Sequence, residues 1–356
     1  MLGRRTAAAI LIFALAGCTA EPAATGVVPT GAAPATPRAG AAPRTITILG
    51  SGDVLLHPDL WAQAKRDGGG RDYDFGPLFG AVRPLIESSD LAICHLETPV
   101  APPGGPFRGY PNFLVPPQII TELRELGYDT CSTASNHSLD GGQDGIKRTL
   151  DAFDRIGLAH TGTARTAAER AKPNLLDVRG VKIAQLSYTY GFNGMKRPAG
   201  KEWIANLIDA DEILAEAHRA RAAGAGIVVV SLHWGTEYAH QPSSAQVNLA
   251  RKLLASPDID LILGCHAHVV QPMSKINGKW VAYGMGNQVA HHADPINANR
   301  EGIMPRFAFT ETSPGHWTAT SAEAIPVWMQ LDPDRLTLPA PGSAPYKRIT
   351  ALGGVG

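Results

Sequence analysis

Two histidines one residue apart, His266 and His268, close the apolar run IDLILGCHAH at residues 259–268. On an extended segment residues i and i+2 point to the same side, so this pair is expected to present two imidazoles to one region of space. Comparable residues punctuate the other apolar runs: Asp53 and His57 in GDVLLH, Glu97 in CHLETPV, Asn136 and His137 in ASNHSLDGG, His233 in VVVSLHWG and Asn287 in YGMGN. A lone histidine at a strand end is ordinarily a hydrogen-bonded residue of the core or surface. Recurrence at strand after strand is what points to a site. Neutral imidazoles beside carboxylates and a carboxamide make a mixed nitrogen and oxygen set suited to zinc, manganese or iron.

For these residues to meet, the elements that carry them must share an edge. Hydrophobic patterning predicts strands over 45–55, 91–97, 128–135, 174–190, 227–235, 259–268 and 279–287, and a paired antiparallel segment at 307–312 and 317–328. Helices with apolar residues at helical spacing are expected over 76–89, 116–127, 143–157, 209–224 and 243–256, several of them ending near glycine. This alternation predicts one α/β domain over residues 45–356, with the carboxyl ends of parallel strands on a common edge. A chain of 356 residues, 44% hydrophobic and 18% charged, has ample apolar material for such a core. Its 32 basic and 32 acidic residues balance, so no net field attracts nucleic acid, and nucleic acid is not an expected partner.

The N-terminus reads as a separate object. MLGRRT is a basic n-region, AAAILIFALA a short apolar h-region, and LAGC sets small residues before Cys18. Residues 1–17 are therefore expected to be a lipoprotein signal peptide with Cys18 lipidated, the alternative being an ordinary secretory signal cut a few residues later. Residues 18–44, rich in Ala, Pro and Thr, cannot bury apolar surface and are expected to tether an exported domain to the cell envelope through the lipid. Three cysteines remain, Cys94, Cys131 and Cys265; the odd number and their apolar settings predict small buried hydrophobes rather than a disulfide framework.

Seven blocks in order, GDVLLH, CHLETPV, ASNHSLDGGQDGI, SYTYGFNG, SLHWGTEY, GCHAHVVQP and AYGMGN, resemble the bacterial poly-gamma-glutamate capsule-synthesis protein A family of the calcineurin-like metallophosphoesterase superfamily. The resemblance covers the chain from about residue 45 to the 310s. It implies a four-layer αββα sandwich with two mixed β-sheets inside. It also implies two divalent ions (Mn, Fe or Zn): Asp53, His57 and His268 holding one, Asn136, His233 and His266 the other, and Glu97 bridging. His137 would then protonate a leaving group, and Asp140 would orient it, although SLDGG also reads as a helix cap. Two divalent ions about 4 Å apart activate a shared water and clamp phosphoryl oxygens. GDVLLH and the bridging Glu97 depart from the superfamily's usual aspartate-histidine spacing and bridging aspartate. A longer carboxylate arm matters, because misplacement by about 1 Å can cost about a hundredfold in rate.

Glu237 is expected to fix a histidine tautomer. Arg108, in the glycine-rich loop GGPFRGYPNF, and Asn193 and Asn287 are candidates for recognising an anionic substrate. Trp234 and Tyr238 read either as an aromatic wall beside the metals or as core, and His291 and His292 as a solvated loop. Two functions compete. One is a metal-dependent hydrolase acting on a phosphoester or on an amide-linked anionic polymer. The other is a non-catalytic, metal-dependent polyglutamate-binding or assembly component of a capsule-synthesis complex.

Overall fold

The computed structural model describes residues 43–296 and 298–354. The signal segment, Cys18 and the tether through residue 42 lie outside the described residues. The described residues form one compact unit, and none of their helices is long and apolar enough to cross a membrane.

The strands are β1 (Thr45–Val54), β2 (Leu91–Leu96), β3 (Thr130–Ser132), β4 (Ala159–Thr161), β5 (Asn174–Val178), β6 (Val181–Thr189), β7 (Ile227–His233), β8 (Leu261–Cys265), β9 (Met273–Ile276), β10 (Lys279–Ala282), β11 (Asn287–Val289), β12 (Glu301–Ser313), β13 (His316–Gln330) and β14 (Arg335–Thr337). An eight-stranded sheet runs β14-β13-β12-β1-β2-β3-β4, with β11 also paired to β1; a six-stranded sheet runs β5-β6-β7-β8-β10-β9. Both are mixed. β1, β2, β3 and β4 are parallel in the first, as are β6, β7, β8 and β10 in the second, with antiparallel strands outside them.

Period-2 alternation sorts the strand residues into layers. Ile46 and Ile48 of β1, Leu91 and Ile93 of β2, Val229 of β7 and Leu261 and Leu263 of β8 pack together between the sheets. The alternate residues Ala92, Cys94 and Leu96 face helices α1 (Pro58–Asp67), α2 (Gly76–Phe79), α3 (Arg83–Glu87), α4 (Gln118–Glu125) and α5 (Gly142–Arg155). A short α6 (Ala167–Arg170) follows β4. Val228, Val230 and Ile262 pack instead against α7 (Ala210–Ala222) and α8 (Ser244–Leu254). Strands covered on both faces read as unbroken apolar runs, as IVVV does. A last helix, α9 (Ala344–Gly353), adds Ile349 to the layer between the sheets. The expected four-layer αββα sandwich is thus the observed fold.

Several local expectations are corrected. The run 174–190 is a hairpin, broken where Arg179 and Gly180 take positive φ between β5 and β6. The run 279–287 divides between the sheets: β10 ends at Ala282, and β11 opens at Asn287 beside Asp53 of β1. The helix expected at 76–89 is two short ones. α1 escaped notice because its apolar face is sparse, although Pro58 at its first turn and Asp59 behind it are start signals. Cys94 and Cys131 are register partners on β2 and β3 and form a disulfide, leaving Cys265 as the buried free thiol among the described residues. Their reading as unlinked hydrophobes fails because pairing depends on strand order, which spacing does not reveal.

Candidate metal centre

The space between the sheets changes character along its length. Past the apolar layer, Thr130 Oγ1 donates to Gln185 Oε1 (2.7 Å) and Gln185 Nε2 to Ser231 Oγ (3.2 Å), linking the sheets through polar side chains. Beyond these, at the carboxyl ends of the parallel strands, the acids and imidazoles collect.

Asp53 reaches this space through an irregularity. Ile46, Ile48 and Gly50 face the second sheet, so strict alternation would turn Asp53 away from it. A register shift between Gly50 and Asp53 reverses the parity. Gly52 permits it, since a Cβ there would lie 2.0 Å from the Gly286 carbonyl oxygen. Glu97 follows β2, and Asn136 and His137 follow β3. His233 ends β7 on the same face as Ile227 and Val229.

His266 and His268 converge for a different reason from the one expected. β8 stops at Cys265, and both histidines have left-handed backbone, with φ of 93° and 56°. They meet through a turn, their ring centroids 5.9 Å apart, and not through strand alternation. Non-glycine residues in this region cost about 1–3 kcal/mol each, and such strain concentrates where side-chain placement matters.

The resulting distances are short. Asp53 Oδ2 lies 3.3 Å from His268 Nδ1, and Asp53 Oδ1 3.9 Å from His233 Nδ1. Glu97 Oε1 lies 3.9 Å from His233 Nε2 and 3.8 Å from His268 Nε2. Asn136 Oδ1 is 2.9 Å from His233 Nε2. The His266 amide donates to the Asp53 carboxylate, while its own Nδ1 is buried without a hydrogen-bond partner. Most telling, both carboxylate oxygens of Glu97 are buried and accept no hydrogen bond.

Electrostatics follow from this packing. Burial pushes the Glu97 carboxyl up to about 7. Burial also works to raise Asp53 but is outweighed by its hydrogen bond to His268 and the charges of His268, His95 and His266, so Asp53 sits below its ordinary value. For His268 burial is overcome by Glu97 and Asp53, which lift it to about 10. Burial and neighbouring imidazoles depress His233, and burial and His268 take His266 to about 3. Two buried carboxylates facing three imidazoles and a carboxamide oxygen form a donor set whose open valences suit divalent cations. Asp53, Glu97 and His268 bring ligand atoms within 4.8 Å of one another, as do Asp53, His95 and His233, and Glu237, His266 and His268.

The remaining expected residues are placed as follows. His137 Nδ1 lies 2.7 Å from Asp140 Oδ2, which also accepts the Phe113 amide at 2.6 Å. α5 is capped by Gly141 without a side-chain bond, so Asp140 serves His137 and not the helix. Burial opposes protonation of His137, but Asp140 and Glu97 raise it above its ordinary value. Arg108 donates to the Asp140 main-chain oxygen at 3.0 Å, tying the glycine-rich loop to the His137 turn. Asn193 accepts from Asn136 Nδ2 at 3.2 Å and orients that amide. Asn287 Oδ1 lies 2.9 Å from His268 Nδ1 and Asn287 Nδ2 donates to Asn299 O, so it positions a histidine. Glu237 is exposed beside His266 and His268.

His57 has hydrogen-bond and ring partners of its own. As the residue preceding Pro58 it caps α1, its Nδ1 accepts the His291 amide at 3.2 Å, and its ring packs on Phe113 and His292. His291 pairs with Asp334. Trp234 is core, its Nε1 donating to Tyr283 O.

Two residues were missed. His95 lies 3.0 Å from His233 Nδ1 and 3.7 Å from Asp53 Oδ1; alternation with Leu91 and Ile93 was the signal that it faces inward. Tyr190 is 44% exposed and lays its ring 4.4 Å from that of His266.

The family model described as bacterial capsule synthesis protein PGA_cap matches residues 47–292, which include each of these candidate residues. The chain is 30% identical over 266 residues to the PGA biosynthesis protein CapA of Bacillus subtilis, covering 72% of this chain and 68% of that one. It is 28% identical over 254 residues to the capsule biosynthesis protein CapA of Bacillus anthracis, covering 68% of this chain but only 59% of that protein's length. In fold it resembles a Staphylococcus aureus protein assigned as a 5'-nucleotidase, with TM-score 0.51 and 14% identity over 86% of this chain and 58% of that one. At that identity the likeness is one of fold alone, and the fold is metallophosphoesterase-like.

Proposed function

The chain belongs to the bacterial capsule synthesis protein PGA_cap family, and we propose that its domain is a divalent-metal-dependent hydrolase acting on an anionic capsule polymer or phosphoester at the cell envelope. The observation that carries this reading is Glu97: two buried carboxylate oxygens without hydrogen bonds, set against Asp53 and the histidines from the opposite sheet. Asp53 and His268 would hold one ion, Asn136, His233 and His266 a second, and Glu97 both. His57, engaged with His291 and His292, is left out. Two such ions supply activation of water and neutralisation of charge on a phosphoryl or carbonyl oxygen.

The chain's own groups do the rest. Asp140 accepts the His137 Nδ1–H, which leaves Nε2 as the second ring nitrogen and favours the imidazolium. His137 therefore delivers a proton at Nε2 to the leaving atom, a role worth about 10²–10⁴ in rate. Tyr190 shields the His266 face from water. Residues 1–17 serve as an export signal and Cys18 as a lipid attachment point, holding the domain to the envelope among capsule-synthesis partners.

The test is metal content and turnover of a generic phosphodiester with added manganese, beside an Asn136→Ala, His233→Ala double variant. Metal uptake and turnover that both vanish in the variant support the reading. Uptake without turnover on phosphodiester or polyglutamate transfers the function to metal-dependent polymer binding or assembly, and absence of both refutes a metal centre. Mass spectrometry of the membrane-extracted chain reports lipid on Cys18, and an unmodified Cys18 refutes the anchor.

A further inference from the structure

Four buried side chains run in line from the first sheet into the site. Ser132 Oγ is 2.8 Å from His95 Nδ1, His95 Nε2 is 3.0 Å from His233 Nδ1, and His233 Nε2 is 2.9 Å from Asn136 Oδ1. Asn136 donates its Nδ2 to Asn193, so the atom it turns to His233 is only an acceptor. Asp53 Oδ1 lies 3.7 Å from His95 Nε2 and 3.9 Å from His233 Nδ1, too far to replace either as a hydrogen-bond partner.

A neutral imidazole carries one N–H, and each contact in the line needs one proton. The tautomers of the two histidines are therefore tied together. In one arrangement Ser132 donates to His95 Nδ1, His95 Nε2–H to His233 Nδ1, and His233 Nε2–H to Asn136. In the other, His233 Nδ1–H donates to His95 Nε2, His95 Nδ1–H donates to Ser132, and Ser132 turns its hydroxyl to the Cys94 carbonyl at 3.3 Å. The second arrangement leaves His233 Nε2 and Asn136 Oδ1 as two bare acceptors 2.9 Å apart, which only a cation makes favourable.

We propose that His95 is a positioning residue of the metal centre: it accepts the Nδ1–H of His233 and so presents the His233 Nε2 lone pair to the ion, with Ser132 completing the relay. This rests on the metal-centre reading above. Metal uptake switches both histidines from the Nε2–H to the Nδ1–H form, and His95 touches neither ion nor substrate. Partners of this kind typically govern metal affinity by 10–100-fold.

The experiment uses the full chain with ¹⁵N-labelled histidine, titrated with Zn²⁺ and followed by long-range proton–nitrogen correlation and by calorimetry. Zinc is expected to produce a coordination shift at His233 Nε2 and Nδ1–H signals on both His233 and His95. His95→Phe, which keeps the ring and removes the acceptor, is expected to weaken zinc binding about 10–100-fold, and His95→Gln to recover most of it. If His95→Phe does not fold, Ser132→Ala carries the test: with no hydroxyl at His95 Nδ1, zinc affinity should fall, while zinc-bound His95 still carries its proton on Nδ1 because Nε2 must accept from His233. Unchanged affinity in folded His95→Phe, a coordination shift on His95 Nε2, or a zinc-bound His95 that keeps its proton on Nε2 overturns the proposal. If the wild-type chain takes up no zinc, the metal-centre reading falls with it, whereas equal uptake by wild type and variant sinks the relay alone.

Discussion

Glu97→Gln should stabilise the metal-free protein while removing its affinity for metal. Without an ion, Glu97 and Asp53 face His268, so two negative charges share one positive charge in a space closed to water. Neutralising Glu97 at constant shape leaves a matched pair. The magnitude follows from linkage. A carboxyl moved from 4.5 in the unfolded chain to about 7 in the folded one loses about 3 kcal/mol of stability at ~1.4 kcal/mol per tenfold. The sign is fixed by protonation: below about pH 4.5 the group is protonated in both states and costs nothing, the penalty grows between 4.5 and 7, and it is complete above 7. Urea unfolding in chelator should therefore show Glu97→Gln more stable than wild type by about 3 kcal/mol at pH 8 and by almost nothing near pH 4.5. With manganese at about a hundred times its dissociation constant, wild type should gain about 2.7 kcal/mol and the variant none. A variant less stable at pH 8, or a gain equal at both pH values, would falsify the view of Glu97 as a destabilising ligand held for metal.

Asp140→Asn should lower turnover about 10²–10⁴-fold with manganese affinity unchanged in calorimetry, because Asp140 acts through His137; a matching loss of affinity would place it among the ligands. Cys94→Ala with Cys131→Ala opens a crosslink spanning 37 residues and should cost about 4 kcal/mol on a loop-entropy basis, read by chemical unfolding; thiol titration of denatured protein, finding Cys94 and Cys131 unreactive before reduction, checks the bond itself. Gly264→Ala sets a Cβ 2.0 Å from the Tyr283 carbonyl oxygen, an overpacking expected to cost roughly 3 kcal/mol and to lower the melting temperature; an unchanged melting curve would show that β8 can move away there.

How much of this was legible depends on the kind of information each feature needs. The layers follow from alternation and from helical spacing, which are local, and the collection of Asp53, Glu97, Asn136 and His233 at one edge follows from parallel order. The bulge that turns Asp53 inward does not, since it depends on β1 closing against Gly286, more than two hundred residues away in sequence. The His266 and His268 pairing was anticipated through the wrong geometry: a left-handed turn at a non-glycine residue leaves no compositional mark. His95 was visible in the period of LAICHL but was overshadowed by Glu97 beside it. Pro58, a start signal readable beside His57, sets that histidine at the head of α1.

Three of the proposed ligands arise from the first sheet and its loops, at Asp53, Glu97 and Asn136, and three from the second, at His233, His266 and His268. Neither half of the sandwich carries a complete coordination shell, so cations can be gripped only after the halves have docked. An ion seated there acts as a rivet, contributing little to the early search for the native state and much to its lifetime, because interactions completed late chiefly slow unfolding.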